Sequence, residues 1–241
     1  MAKKKASAYM TSGEKLAGTI FFVIYLVVLP FAMTPLFDLM ERLLRAEISG
    51  SLRSALCYYA CFAAAVLIFR RFLANTSRKF VDNLSICCRT VVVGLIAMYG
   101  LNELVYRLTR VVIGNQTNLN DMTVSAQIQG APRTTLLIVI LLAPFVEEVL
   151  FRGLVFGNLK GKSRTVAYLL SCGLFALLHV WQFAVEQQNI TYFLLMVQYL
   201  VPGVVLAWAY ERSGSLWVPI GFHMMINSLS FTVEKLMAQM A

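Results

Sequence analysis

Charge is what this sequence has least of. Only 14% of its 241 residues are Asp, Glu, Lys or Arg, 59% are hydrophobic, and the mean hydropathy is +0.71. Soluble domains of this size are about 25% charged and about 45–50% apolar. The apolar surplus falls in runs, which excludes a soluble protein with an oversized core and indicates a polytopic membrane protein. Histidine is rarer still, with His179 and His223 the whole supply. The five cysteines, Cys57, Cys61, Cys87, Cys88 and Cys172, are odd in number and mostly lie in apolar runs. They show neither a disulfide framework nor paired zinc-ligand spacing, and are expected to be small core residues. There is no low-complexity tract and no internal repeat, and the missing repeat argues against a transporter. HExxH, HxxEH and nucleophile-elbow motifs are also missing. The first apolar run is too long for a signal-peptide core and lacks a small-residue cleavage site, so no cleavable signal is expected. The ending "AQMA" has no CaaX cysteine, so the chain is not expected to be prenylated itself. A net charge of +9 would suggest nucleic acid in a soluble protein. Here the loops flanking membrane helices account for it, and no nucleic-acid partner is expected.

What is present is a series of apolar runs. Crossing a bilayer takes about 20 residues, and segments 17–37, 54–69, 90–106, 134–156, 166–185, 190–210 and 216–233 qualify, the second being short. The expected fold is therefore all-α, a polytopic bundle of about seven transmembrane helices. Residues 1–133 form an N-terminal helix set ending in a polar stretch, "VIGNQTNLNDMTVSAQIQGAPR" (112–133), read as an extramembrane loop. Residues 134–241 form a C-terminal core of four helices. Lys and Arg mark the cytoplasmic side of membrane proteins. With the N-terminus inside, that side collects 13 of them, in Lys3, Lys4, Lys5, Lys15, the 70–89 segment, the 160–164 turn and Arg212. The other side collects 7: Arg42, Arg45, Arg53, Arg107, Arg110, Arg133 and Lys235. A cell-membrane protein with a cytoplasmic N-terminus is expected.

Against this apolar background the fourth run contains "FVEEVLFRG" (145–153). Intramembrane charges are costly, face the bundle interior or a water-filled cavity, and mark functional sites. Glu148 and Arg152 are i and i+4 and can pair on one helix face. Glu147 points about 100° away, free for another partner. Both histidines also lie in apolar runs, in "FALLH" (175–179) and "HMMIN" (223–227). His223 and Asn227 share a face, and Phe175 stands one turn before His179, where it can shield the imidazole. In the orientation above, all three clusters are expected toward the cytoplasmic half, with a cavity open to that side. The bland alternative is a polar network that only fixes helix packing, but polar bonds between membrane helices are modest stabilisers. Elsewhere the bland readings hold. Glu103 and Arg107 form an interfacial pair, Gln198, Pro202 and Gly203 are packing or kink residues, and Trp181, Trp208 and Trp217 are interfacial anchors.

The three clusters resemble, in order, the EExxxR, FxxxH and HxxxN motifs of the CAAX protease and bacteriocin-processing (CPBP, or Abi) family of intramembrane endopeptidases. One motif alone is weak evidence; the ordered set on successive apolar segments is specific. The resemblance covers residues 134–233, and the first three helices carry no motif. Peptide hydrolysis needs a base for water and donors for the oxyanion, and a carboxylate in a low-dielectric cavity becomes a usable base near neutrality. The assignment is Glu147 with His179 activating water, His223 and Asn227 holding the oxyanion, and Glu148 with Arg152 as supporting pair. Spacing does not decide which glutamate is the base. Geometry leaves Cys172 open as a nucleophile, since it lies about two turns before His179 on the same face, but nothing around it marks activation. Ser171, Ser228 and Ser230 lack a nucleophile-elbow setting. No cofactor is expected. The competing reading is a catalytic zinc held by Glu147, His179 and His223. The partners implied are the lipid bilayer and a protein or peptide substrate, prenylated in the CaaX case. A non-enzymatic membrane scaffold or regulator of a sensor protein is the alternative from another class.

Overall fold

The computed structural model describes residues 10–113 and 118–240, so Lys3, Lys4 and Lys5 of the orientation count lie outside the described residues. Among the described residues, nine helices follow one another without a strand. They are α1 (Ser12–Leu44), α2 (Gly50–Ile68), α3 (Arg70–Asp82), α4 (Leu84–Ile113), α5 (Leu119–Gly130), α6 (Pro132–Leu159), α7 (Arg164–Glu186), α8 (Ile190–Ser213) and α9 (Trp217–Met240). Six of these, α1, α2, α4, α6, α7 and α8, are long and apolar enough to cross a membrane. The seventh expected span is α9, a continuous helix whose side chains at 234, 235 and 237–240 lie outside the described residues. The chain is a multi-pass helical bundle.

Local signals fix the boundaries. Thr11 caps α1 in a reciprocal box, its hydroxyl accepting from Glu14 N while the Glu14 carboxylate accepts from Thr11 N. At 33 residues α1 is about 50 Å long, well beyond a hydrocarbon core of about 30 Å. The apolar run at 17–37 therefore understates it. The second span is longer than its apolar run too, because the Ser49 hydroxyl caps it from Leu52 N.

Two segments without a spanning pattern are helices nonetheless. The stretch 70–82 is the amphipathic helix α3, which buries Phe72, Leu73 and Thr76 and leaves Arg70, Arg71 and Arg78 exposed. It is clamped at both ends of the bundle's sequence. Phe72 N donates to the Glu14 carboxylate, Leu216 N to the Thr76 hydroxyl at 2.7 Å, and Trp217 Nε1 to the Ser77 hydroxyl at 2.7 Å. Trp217, expected as an interfacial anchor, is thus tied to α3. The polar stretch read as a loop contains α5, so the loop expectation is corrected. Asn118 caps α5 through bonds from Asn120 N and Asp121 N, and Pro132 opens α6 immediately after it.

The central element is α6. Val146, Val149, Leu150, Phe151 and Phe156 on it are fully shielded. The main apolar cluster joins them to Phe21, Phe69 and Phe72 from α1 to α3 and to Phe175 and Tyr210 from α7 and α8. The motif-free N-terminal helices thus pack directly on the motif-bearing core. Gly18 makes this possible: a Cβ there would meet the Phe69 ring at 2.5 Å. Twice along α6 the helix widens to π geometry, at Ile138–Leu142 and Glu148–Phe156. Such segments recur at functional sites; the first precedes the charged cluster and the second holds Glu148 and Arg152.

Candidate active site

A cavity of about 780 Å³ runs from the middle of the bundle to the face that carries α5. Its floor is formed by Glu147, Phe175, His179, His223 and Asn227; its outer wall includes Asn102, Gln182 and the α5 residues Asn120, Asp121, Thr123 and Gln127. The turns 160–163 and 214–216 lie at the opposite ends of the same helices. The expectation of an opening on the basic side is therefore corrected: the cavity opens on the face away from Lys160, Lys162 and Arg164.

The two glutamates are separated by one residue's rotation, and their fates differ. Glu147 reaches the cavity wall, where Tyr25 of α1 and Tyr58 of α2 face it. Glu148 is 0% exposed, behind the wall. Its Oε1 accepts from Arg152 Nη1 at 2.8 Å and from His223 Nδ1 at 2.9 Å. Arg152, also 0% exposed, donates through Nη2 to the Gly203 carbonyl at 3.1 Å, and its guanidinium lies 4.2 Å from the Phe175 ring centre. Among the described residues, Glu148 Oε2 and Arg152 Nε find no hydrogen-bond partner. Gly203 gives α8 its close approach, since a Cβ there would stand 3.2 Å from Cys172 Cβ. The i, i+4 ion pair is as expected, and it extends to His223 and to the backbone of α8.

Phe175 is the partition of the site. Its ring lies 4.7 Å from the His179 ring, 5.8 Å from that of His223, and edge-on to Phe151. The His179 imidazole has Nδ1 at 2.8 Å from the Phe175 carbonyl, which can only accept. The proton is therefore on Nδ1, and the Nε2 lone pair is left for the cavity. Tyr199 also stacks on His179, 4.4 Å away and 23° from parallel. Asn227 Nδ2 donates to the Val139 carbonyl at 2.8 Å, in the first π segment of α6. One of its two N–H groups is used there and the other remains. His223 and Asn227 do line one space, but each is oriented by a partner on α6.

Among the described residues no three His, Cys, Asp or Glu side chains stand together as a metal site, the set Glu147, His179 and His223 included. Of the six motif residues, four reach the cavity and two brace it from behind. Sequence reasoning missed Tyr25, Tyr58 and Tyr199. Their signal was a phenol in mid-span, away from the interfacial belts where tyrosine usually sits. It also missed α5, and it passed over Gln198 and Gly203, which hold Asn118 and Arg152. Cys172, Ser171 and Ser228 take no place in the cavity wall; the Ser171 hydroxyl bonds the Phe151 carbonyl and that of Ser228 the Met224 carbonyl. Ser230 does line the cavity.

The family model described as "Type II CAAX prenyl endopeptidase Rce1-like" matches residues 129–229, the stretch that holds all three motifs. The protein named "Putative membrane peptidase YdiL" of Bacillus subtilis (strain 168) is 26% identical over 193 residues, covering 78% of this chain and 72% of that protein. The "UPF0177 protein YxdF" of Lactococcus lactis subsp. lactis (strain IL1403) is 29% identical over 97 residues, 40% of this chain and 48% of its own. No solved structure matches the chain. The resemblance carried by the three motifs thus recurs in comparisons that cover the same region.

Proposed function

We propose that this multi-pass membrane protein, whose residues 129–229 are of the CAAX prenyl endopeptidase type, hydrolyses peptide bonds within the bilayer using water activated by Glu147 and His179. The observation that carries the reading is the sorting of the two glutamates. Glu147 lines the cavity with His179, while Glu148 is sealed behind the wall and committed to Arg152 and His223. A base must reach the water it deprotonates, and of the pair only Glu147 lines the cavity.

Each remaining residue supports one part of the step. Water placed between Glu147 and His179 Nε2 loses a proton to the carboxylate as its oxygen attacks the scissile carbonyl carbon. The carbonyl oxygen becomes an oxyanion, served by the free Asn227 N–H, with the His223 ring beside it. Glu148 accepts from His223 Nδ1 and so fixes the orientation of that ring toward the cavity. Collapse breaks the C–N bond, and the proton held by Glu147 passes to the leaving amine. Arg152 neutralises Glu148, so that the pair orients His223 without competing for the water.

The substrate is a peptide or protein segment that reaches the cavity floor. The route involves no metal, and zinc analysis below tests that. The deciding experiment compares protein C-termini by mass spectrometry in cells with wild-type protein and with Glu147→Gln. New C-termini that depend on Glu147 are expected. Identical termini, together with a phenotype that survives the substitution, would favour the scaffold reading.

A further inference from the structure

We propose that Tyr199 is a positioning residue for His179 and links the orientation of this imidazole to the seating of helix α5 over the cavity. The inference rests on the role given to His179 above, but its test does not require proteolysis. Tyr199 has two faces of contact. Its ring is stacked on His179 at 4.4 Å. Its hydroxyl accepts from Asn118 Nδ2 at 2.8 Å and lies 3.4 Å from Asp121 Oδ1. Asn118 is the N-cap of α5, and Asp121 is in its first turn.

Helix α5 is held mainly by such bonds. None of its residues is buried, so it has little apolar packing to fix it. Its N-terminal end is tied by Asn118 to Gln198 and Tyr199, and by Leu119 N donating to the Tyr192 hydroxyl at 2.6 Å. Its C-terminal end is tied by the Thr135 hydroxyl to the Gln127 carbonyl. Meanwhile Asn120, Thr123 and Gln127 form the outer wall of the cavity. A polar helix with few buried contacts opens more readily than the core it covers. Its displacement takes away the Asn118 bond that holds the Tyr199 hydroxyl, and the ring against His179 then regains rotational freedom. The Nδ1 bond to the Phe175 carbonyl still sets the tautomer, so loosening changes the plane of the imidazole and not its protonation site.

The chain has only two histidines, so each can be followed separately. Full-length protein in nanodiscs is treated with diethyl pyrocarbonate, and modification of His179 and of His223 is timed by mass spectrometry. Three variants are compared: Asn118→Ala leaves Tyr199 whole, Tyr199→Phe keeps the ring and removes the hydroxyl, and Tyr199→Leu removes the stack. Losing one net hydrogen bond changes an opening equilibrium by about fivefold. His179 is therefore expected to react about fivefold faster in Tyr199→Phe, and at least that much faster in Asn118→Ala, which also gives up the Gln198 bond and the α5 cap. His223, held through Nδ1 by Glu148, should keep its wild-type rate. An equal rise at both histidines would mean that α5 merely shields the cavity, and would overturn the coupling. Unchanged His179 in Asn118→Ala and Tyr199→Phe would overturn it as well. Failure of Tyr199→Leu to fold leaves the other two variants decisive. Absence of Glu147-dependent C-termini would count against the protease reading without touching this result.

Discussion

Removing the Arg152 guanidinium should cost this protein more stability than removing the Glu147 carboxylate or the His179 imidazole. Arg152 and Glu148 are both fully buried, and the pair is joined at 2.8 Å. Arg152→Ala deletes the Glu148 and Gly203 bonds and the stack on Phe175, and leaves a buried carboxylate without its countercharge. Breaking a buried pair by removing one partner costs about 3–5 kcal/mol. For a chain of this length each kcal/mol moves the midpoint by about 2–4 °C, so the apparent Tm is expected to fall by roughly 6–20 °C. The assay is a heating series in detergent with the surviving monodisperse fraction read by fluorescence size-exclusion. The double variant Glu148→Leu/Arg152→Met separates charge from packing. Apolar replacement of a buried pair is often neutral or stabilising, so most of the lost Tm should return. A midpoint for Arg152→Ala within about 2 °C of wild type would refute the reasoning, because it would place the pair in contact with water.

Glu147→Gln and His179→Ala are expected to insert and keep a near-wild-type Tm while losing Glu147-dependent C-termini; a full set of those termini in either variant would remove that residue from the step. Asn227→Ala is expected to slow hydrolysis by about 10²–10³, the usual effect of losing one oxyanion donor, and an unchanged rate would show that its N–H faces elsewhere. In a background without native cysteines, Lys162→Cys should label only from the cytoplasm and Asn120→Cys only from outside, with the reverse pattern inverting the topology. Purified protein is expected to lack stoichiometric zinc and to keep its activity after prolonged chelation. One zinc per chain, with activity lost on chelation and restored by zinc, would instead make Glu147, His179 and His223 ligands.

The composition and the apolar runs sufficed for the bundle, because a bilayer imposes length and hydropathy directly on the chain. The motif residues were legible for the same reason: charges and imidazoles in such runs are rare enough to stand out. Assignment of Glu147 to the wall was not legible. Periodicity separates it from Glu148 by about 100° but cannot say which direction faces the cavity. That depends on Tyr25 and Tyr58, supplied by helices without motifs. Helix α5 was hidden because its sequence lacks an apolar stripe; it forms through an Asn118 cap and lies over a polar opening. Gly203 looked like a kink residue, and only the packing of α8 on α7 shows its carbonyl meeting Arg152.

The two faces of the bundle also differ in a way that bears on how water and substrate reach the floor. Glu147 stands fifteen residues from Pro132 and twelve from Leu159, placing it about 22 Å from the α5 end of α6 and about 18 Å from the basic end. Toward the basic end the space is filled by Phe151, Leu154, Phe156, Phe72 and Met10, all buried. Toward α5 it is the cavity, with Asn102, Gln182 and Gln127 along its walls. Polar side chains at membrane depth are tolerated where they line water, so the α5 side is the expected route for water. Exposed Arg70, Arg71 and Arg78 on α3 belong to the other face, while Arg53 and Arg107 on the α5 face are each paired with acidic partners. Arg42, Arg45, Arg110 and Arg133 are exposed on the α5 face as well, so the difference between the faces is the one counted along the sequence, 13 Lys and Arg against 7. Under the rule that Lys and Arg stay inside, the mouth is expected on the non-cytoplasmic side, and the side from which Asn120→Cys labels is the measurement that decides it.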